Sequence, residues 1–355
     1  MNINKNQKKS KKYPWKKLSL TCSLFFLYFV FAGQRADTLK QVEKSTYPVF
    51  YANKCHDNFR ILLTSSIKKA QKNILLKSFT LTEEYVCRAL VKKSREGIPI
   101  KIKCHSNKHS DEIIKKAPRI KVEPKLRTAG YMHQKILIID SDLVWLGSAN
   151  ISKESLISDD NLMVGVRNKD LATIFQKNCS GECIIKNQSI KVWLLPQDSA
   201  SCLKEIIDVL NSATKSIKMA MFFFTHPDLF SALVKAHQRG VFVEVIVDKR
   251  GSHFIDNSVC PNQFYLSSQS PCIHHKFAWI DDRILIFGSA NWTKNGFDMN
   301  EEDVIIINNL THTQNKKLHL IWKDLSYTKK LLPSLKPETI LLKQKKSGSS
   351  FAVAK

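Results

Sequence analysis

Two segments 141 residues apart carry the same pattern. Residues 132–150 read MHQKILIIDSDLVWLGSAN and residues 273–291 read IHHKFAWIDDRILIFGSAN. Each holds a histidine and a lysine two apart, an aspartate five further on, and a closing Gly-Ser-x-Asn. The surroundings repeat as well: ALVKKSREGIPIKIKC (89–104) matches ALVKAHQRGVFVEVIVD (232–248), with Ala89 and Ala232, and Gly97 and Gly240, 143 positions apart. Stretches 65–80 and 211–226 are also alike. An offset held within two residues over such a distance is the mark of a duplicated chain. Any fold must therefore house two similar halves.

Each half reads alike. An amphipathic helix (58–71; 202–214) precedes an apolar strand (74–80; 217–224), and a second helix (83–96; 227–239) closes on Gly97 or Gly240 as a C-cap. A further strand (99–104; 241–247) leads to a hairpin (134–139 with 143–147; 275–280 with 284–288) turning at DSD or DDR. A last apolar strand covers 162–166 and 303–308. This order predicts an α/β fold of mixed sheets flanked by helices. The expected division is a leader over 1–33, a first half over 34–190, a second half over 191–340 and a basic tail over 341–355.

In a strand, residues two apart share a face, so His133 projects with Lys135 and His274 with Lys276. A histidine beside an ammonium at the end of an apolar strand is costly unless an anion binds there. Imidazole can attack phosphorus or carry a proton, and lysine neutralises phosphoryl oxygens. Ser148, Asn150, Ser289 and Asn291 offer further hydrogen bonds to the same oxygens, and Gly147 and Gly288 allow close backbone approach. Asp140 and Asp281 fall just past the strand and read as structural. His275 should face away from His274, while His105, His109 and His253 lie in predicted loops.

The paired motif resembles the defining HKD motif of the phospholipase D superfamily, and the likeness spans nearly all of residues 50–330. The resemblance implies two halves packed about a pseudo-twofold axis, with both motifs in one active site of a monomer. It implies a phosphohistidine mechanism that needs no metal or other cofactor. His133 and His274 are the expected nucleophile and acid/base, with His133 favoured as nucleophile. Lys135, Lys276, Asn150 and Asn291 are expected to bind phosphate, assisted by Ser148 and Ser289. In the family, a Glu or Asp shortly after the motif asparagine orients the histidine. Glu302, eleven residues after Asn291, fits. The same spacing in the first half lands on Asn161, but aligning DDNLMV with EEDVII makes Asp160 the expected partner.

Three functions are compatible with this set: a phospholipase D-type lipid hydrolase or transferase, an endonuclease of DNA or RNA with the same mechanism, and an inactive protein that binds anionic membranes or nucleic acid. The net charge of +25 attracts polyanions of any of these kinds. The intact residues in both halves argue against inactivity. The N-terminus favours lipid slightly: a basic stretch, MNINKNQKKSKKYPWKK, precedes the fifteen-residue apolar run LSLTCSLFFLYFVFA. Such a run predicts export or anchoring, as a signal peptide cleaved before Gly33 or as a retained anchor. Eight cysteines besides Cys22 would suit disulfides in an exported protein, with Cys179–Cys183 and Cys260–Cys272 as candidate couples and free thiols the alternative.

Overall fold

Both motif hairpins turn through left-handed residues. Asp140 and Ser141 have φ of 56°, and Asp281 and Asp282 have φ of 54° and 52°. The strands close on the pairs Ile139–Leu143 and Ile280–Ile284, so each loop has three residues, the first two at positive φ. The computed structural model describes residues 41–105, 117–125, 130–251, 263–267 and 272–331. The leader, the tail, His109, His253 and Cys260 lie outside the described residues. Among those residues no helix is long and apolar enough to cross a membrane.

The first sheet contains β1 (Val49–Ala52), β2 (Ile74–Ser78), β3 (Ile100–His105), β4 (Ile120–Lys125), β5 (Lys135–Ile139), β6 (Leu143–Gly147) and β7 (Leu162–Arg167), in the order β1-β7-β6-β5-β2-β3-β4. The second contains β8 (Gly181–Ile185), β9 (Gln188–Leu195), β10 (Ser216–Met221), β11 (Phe242–Asp248), β12 (Phe264–Ser267), β13 (Lys276–Ile280), β14 (Ile284–Gly288), β15 (Glu302–Asn308) and β16 (Lys329–Leu331). Its order is β16-β12-β11-β10-β13-β14-β15-β9-β8. Seven strands of each sheet correspond one to one, β1 matching β9 and β2–β7 matching β10–β15, so the two mixed sheets have the expected α/β architecture in two duplicated halves. The second sheet begins at Gly181, ahead of the boundary placed at residue 191. The β8–β9 hairpin pairs with β15 and not with the first sheet.

Strands at the sheet centres are buried on both faces, as their unbroken apolar runs require. The outer face of the first sheet packs on α1 (Phe59–Lys69) and α2 (Glu84–Arg95), through Phe59, Leu63, Val86 and Leu90. Short α3 (Lys153–Ile157) adds Leu156 to that cluster. The inner faces meet in a central core joined by Leu171 and Phe175 of α4 (Lys169–Lys177). On the outer face of the second sheet, α5 (Ser199–Asn211) and α6 (Pro227–Gln238) bury Cys202, Ile206, Leu229 and Leu233, and α7 (Lys294–Asp298) adds Phe297. The counterpart of α4 is α8 (His312–Thr328), whose Leu318, Ile321, Trp322 and Leu325 enter the central core. It begins with a capping box between Thr311 and Gln314. Of the candidate disulfide couples, Cys179 and Cys183 are both free thiols, and Cys272 is also free.

The motif aspartates bind the backbone of the neighbouring strand's approach. Asp140 accepts the backbone N–H groups of Gln71, Lys72 and Asn73. Asp281 accepts those of Thr214, Lys215 and Ser216 and the Thr214 hydroxyl. Burial acts to raise the Asp281 pKa, but these donors outweigh it and hold the carboxyl below its usual range. Each aspartate thus fixes the approach to the next strand from the hairpin turn. Replacing Asp281 with alanine should lower unfolding stability by about 2 kcal/mol. The urea midpoint should fall with an unchanged slope.

Candidate active site

The first motif approaches β5 through Tyr131, Met132 and His133, and this segment is bonded to the other half. The His133 N–H donates to the Glu301 carbonyl at 2.8 Å, and the Glu301 N–H donates to the Tyr131 carbonyl at 2.8 Å. The second motif is tied reciprocally: the His274 N–H donates to the Asp160 carbonyl at 2.7 Å, and the Asp160 N–H to the Cys272 carbonyl at 3.0 Å. Two short parallel bridges therefore stitch the halves together at the histidines.

The ring partners cross the same boundary. His133 Nδ1 lies 2.7 Å from Glu302 Oε1, and His274 Nδ1 lies 2.9 Å from Asn161 Oδ1. The second partner was expected to be Asp160. Asp160 instead lies beside His275, with Oδ1 3.0 Å from Nε2, and both side chains are buried. Adjacent strand residues point to opposite faces, so Asp160 and Asn161 cannot both reach His274. The eleven-residue spacing taken without an offset points to Asn161.

Ser148 and Ser289 also differ from expectation. Ser148 Oγ donates to Asn161 Oδ1 at 2.9 Å, and Ser289 Oγ donates to Glu302 Oε2 at 2.6 Å. Both are buried, and both hold the histidine's partner instead of reaching towards an anion. Asn161 Nδ2 donates to the Ser155 carbonyl. That bond and the Ser148 hydroxyl fix the amide oxygen as an acceptor, so His274 carries its proton on Nδ1. Gly147 and Gly288 have φ of 147° and 153°, and a Cβ there would lie 2.2 Å from the Leu162 carbonyl oxygen or 2.3 Å from that of Asp303. Glycine lets these two strands close on the site.

Lys135 donates to the His133 carbonyl, and Lys276 to the His274 carbonyl at 3.0 Å. Both ammonium groups are buried. Burial pushes Lys135 down to about 8, although Glu302 and Asp303 oppose it. Burial, reinforced by the Lys135 charge, pushes Lys276 well below its ordinary value. His274 is depressed by burial first, then by Lys276, Lys135 and His133. Burial also lowers His133, with Glu302 pulling the other way. Burial would raise Glu302, but His133, Lys135 and Ser289 keep it ionised. The buried Asp303 beside it is raised to about 7 by burial and then by the Glu302 charge. The side-chain oxygens of Asn150 and Asn291 are buried without a hydrogen-bond partner. A cluster of buried, depressed cations is the environment an anion would complete.

Aromatic rings line the site. Phe79 packs edge-on to His133 and contacts His105 and Tyr131, while its counterpart Phe222 packs edge-on to His274. His105, expected in a loop, ends β3 and forms part of this wall. Phe79, Tyr131 and Phe222 carry no spacing signal and were not singled out in the sequence.

Residues 63–181 and 206–320 match the family model described as cardiolipin synthase, PLD-like domain. The chain belongs to the phospholipase D superfamily. The mouse mitochondrial cardiolipin hydrolase is 32% identical over 138 residues, covering 37% of this chain and 62% of that protein. Thus the match spans less than two thirds of that relative's length. Cardiolipin synthase B of Salmonella typhi is 24% identical over 320 residues, covering 74% of this chain and 77% of its own. The crystal structure of phosphatidylserine synthase from Haemophilus influenzae Rd KW20 has a TM-score of 0.67 at 14% identity. It covers 85% of this chain and 93% of that one, and shares the fold.

Because Glu302 supports the proton on His133, Glu302→Gln should lower the His133 pKa by about 1–2 units. Titration of the ring signals by NMR should show the fall, with His274 moving less.

Proposed function

We propose that this phospholipase D superfamily member is a phospholipid phosphodiesterase that hydrolyses or transfers a head group through a phosphohistidine. The observation that carries the reading is the pair of buried His-Lys units, each histidine held by a partner from the opposite half. The match to the cardiolipin synthase family model, and the cardiolipin hydrolase and synthase relatives, support a lipid substrate. The N-terminal basic and apolar segments would bring the enzyme to a membrane by export or anchoring.

The unequal partners divide the labour. A ring that attacks phosphorus gains positive charge, which the ionised Glu302 stabilises, so His133 is the nucleophile. His274 faces a neutral amide, which leaves its protonated form a stronger acid, suited to donating to the leaving oxygen. In the first step the His133 nitrogen–phosphorus bond forms, the phosphorus–oxygen bond breaks, and the His274 proton passes to the departing alcohol. In the second, water or another alcohol gives its proton to His274 and attacks phosphorus, releasing His133. Lys135, Lys276, Asn150 and Asn291 hold the phosphoryl oxygens. The substrate's negative charge offsets the depression of His274 and restores its proton. An endonuclease reading draws on the +25 net charge, because the same chemistry cleaves nucleic-acid phosphodiesters.

Purified protein with mixed phospholipid vesicles, ethanol and a chelator should yield phosphatidylethanol. Cleavage of nucleic acid with no lipid product would transfer the protein to the nuclease reading. Changing His133 or His274 to alanine should lower turnover by about a thousandfold or more. His275→Gln, which places there the residue type already buried at Gln134, should retain most activity. Asn161→Asp adds a carboxylate beside His274 and so raises its pKa. The alkaline limb of kcat/KM should move up by about one unit, and a limb that stays or moves down would contradict the acid role.

A further inference from the structure

A basic trough runs along the inner face of β2, β3 and β4, in a cavity of about 640 Å³ lined by Lys77, Lys101, Lys103, Arg119, Lys121 and Glu123 among others. Lys77 is only 5% exposed. Its Nζ donates to the Phe175 carbonyl at 3.2 Å and to Asn178 Oδ1 at 2.8 Å, both neutral acceptors. Burial and then the neighbouring Lys103 push it down to about 8. Glu123 is shared between Lys101 and Lys121 at 3.2 and 3.3 Å, which leaves the trough with excess positive charge.

The duplication shows that the fold does not need these cations. Lys77 and Lys103 are cross-strand neighbours, and the residues at the 143-position offset, Ala220 and Ile246, are neighbours in the same register. Ala220 and Ile246 are buried in the central core. Lys101 corresponds to Glu244, which pairs with Lys329. Like charges placed opposite one another destabilise a sheet; Glu301 offsets the Lys103 charge, while Lys77 has only neutral acceptors, a deficit a bound anion would reduce.

The trough comes within one ion pair of the segment that holds His133. Lys103 pairs with Glu301 at 2.6 Å, and the Glu301 carbonyl holds the His133 N–H. Lys101, two residues earlier on β3, lies about 7 Å further away. We propose that the trough binds a second phosphate of the same lipid substrate while the first occupies the histidine site. This assignment rests on the lipid reading above. Among the described residues no aromatic side chain lines the trough, whereas single-stranded nucleic acid is usually held by stacking as well as charge.

The test uses the full chain and two soluble probes, glycerol 1,3-bisphosphate and glycerol 1-phosphate, with affinities read by calorimetry. The bisphosphate should bind about tenfold or more tightly than the monophosphate. Lys101→Glu should abolish most of that advantage with monophosphate affinity unchanged. Lys77→Ala with Lys103→Ile, the pair the second half already accommodates, should do the same. Equal binding of the two probes by the wild type, or an advantage that survives both variants, would overturn the assignment while leaving lipid hydrolysis standing. Absence of monophosphate binding together with absence of lipid turnover would remove the functional reading and the trough with it. Displacement of the bisphosphate by a single-stranded oligonucleotide that is itself cleaved would assign the trough to nucleic acid and overturn the lipid assignment.

Discussion

Everything at the centre of this molecule depends on a reciprocal backbone contact between its halves. His133 is hydrogen-bonded through its amide to Glu301, and His274 to Asp160. Each bridge sets the angle at which a motif strand enters its sheet, and it places the next residue of the opposite half, Glu302 or Asn161, beside the histidine ring. Neither half contains both a histidine and its orienting partner. The duplicated chain therefore acts as one unit, and the central core under the bridges, with α4 and α8 on either side of the axis, holds the register.

The bridges also gather charge where water is scarce. Two lysines and two histidines share a buried space, and their proton affinities fall because burial penalises the charged forms. Glu302 is held below its usual range among them, whereas Asp303 is raised to about 7. Isolated charges in such a place are destabilising, and cations paired with a tetrahedral anion are not. The first half extends the pattern outward through Lys77 and Lys103, whereas the second half is apolar at the matching positions.

The sequence made the sheet-forming hairpins and the motif residues legible because their signal is local: alternating faces, turn chemistry and a fixed spacing. It made the duplication legible by the same means. The identity of the His274 partner was harder to read, since DDNLMV and EEDVII align two ways and only strand direction separates Asp160 from Asn161. The serines beside the glycines look like phosphate ligands in one dimension, but burial turns them towards Asn161 and Glu302. Helices α4 and α8 and the edge hairpin β8–β9 were missed although local signals are present for the helices: Leu171 and Phe175 lie one turn apart in α4, and Thr311 and Gln314 form a capping box at α8. The hairpin is fixed by its pairing with β15, a tertiary contact.

In the proposed reaction the two copies meet at one phosphorus and take different roles, because attack and departure occur on opposite sides. The chain has diverged at the matching positions: Glu302 faces His133 and Asn161 faces His274, His275 stands where Gln134 does, and Asp303 stands where Leu162 does. Within the proposed reaction, the carboxylate sits beside the ring that must become cationic, and the amide beside the ring that must give up a proton. A symmetric pair of carboxylates would make both histidines better bases and the acid weaker. A symmetric pair of amides would leave the nucleophile's charge unsupported. The asymmetry lies in the orienting partners and leaves both His-x-Lys units intact, so the roles can separate without loss of either motif lysine.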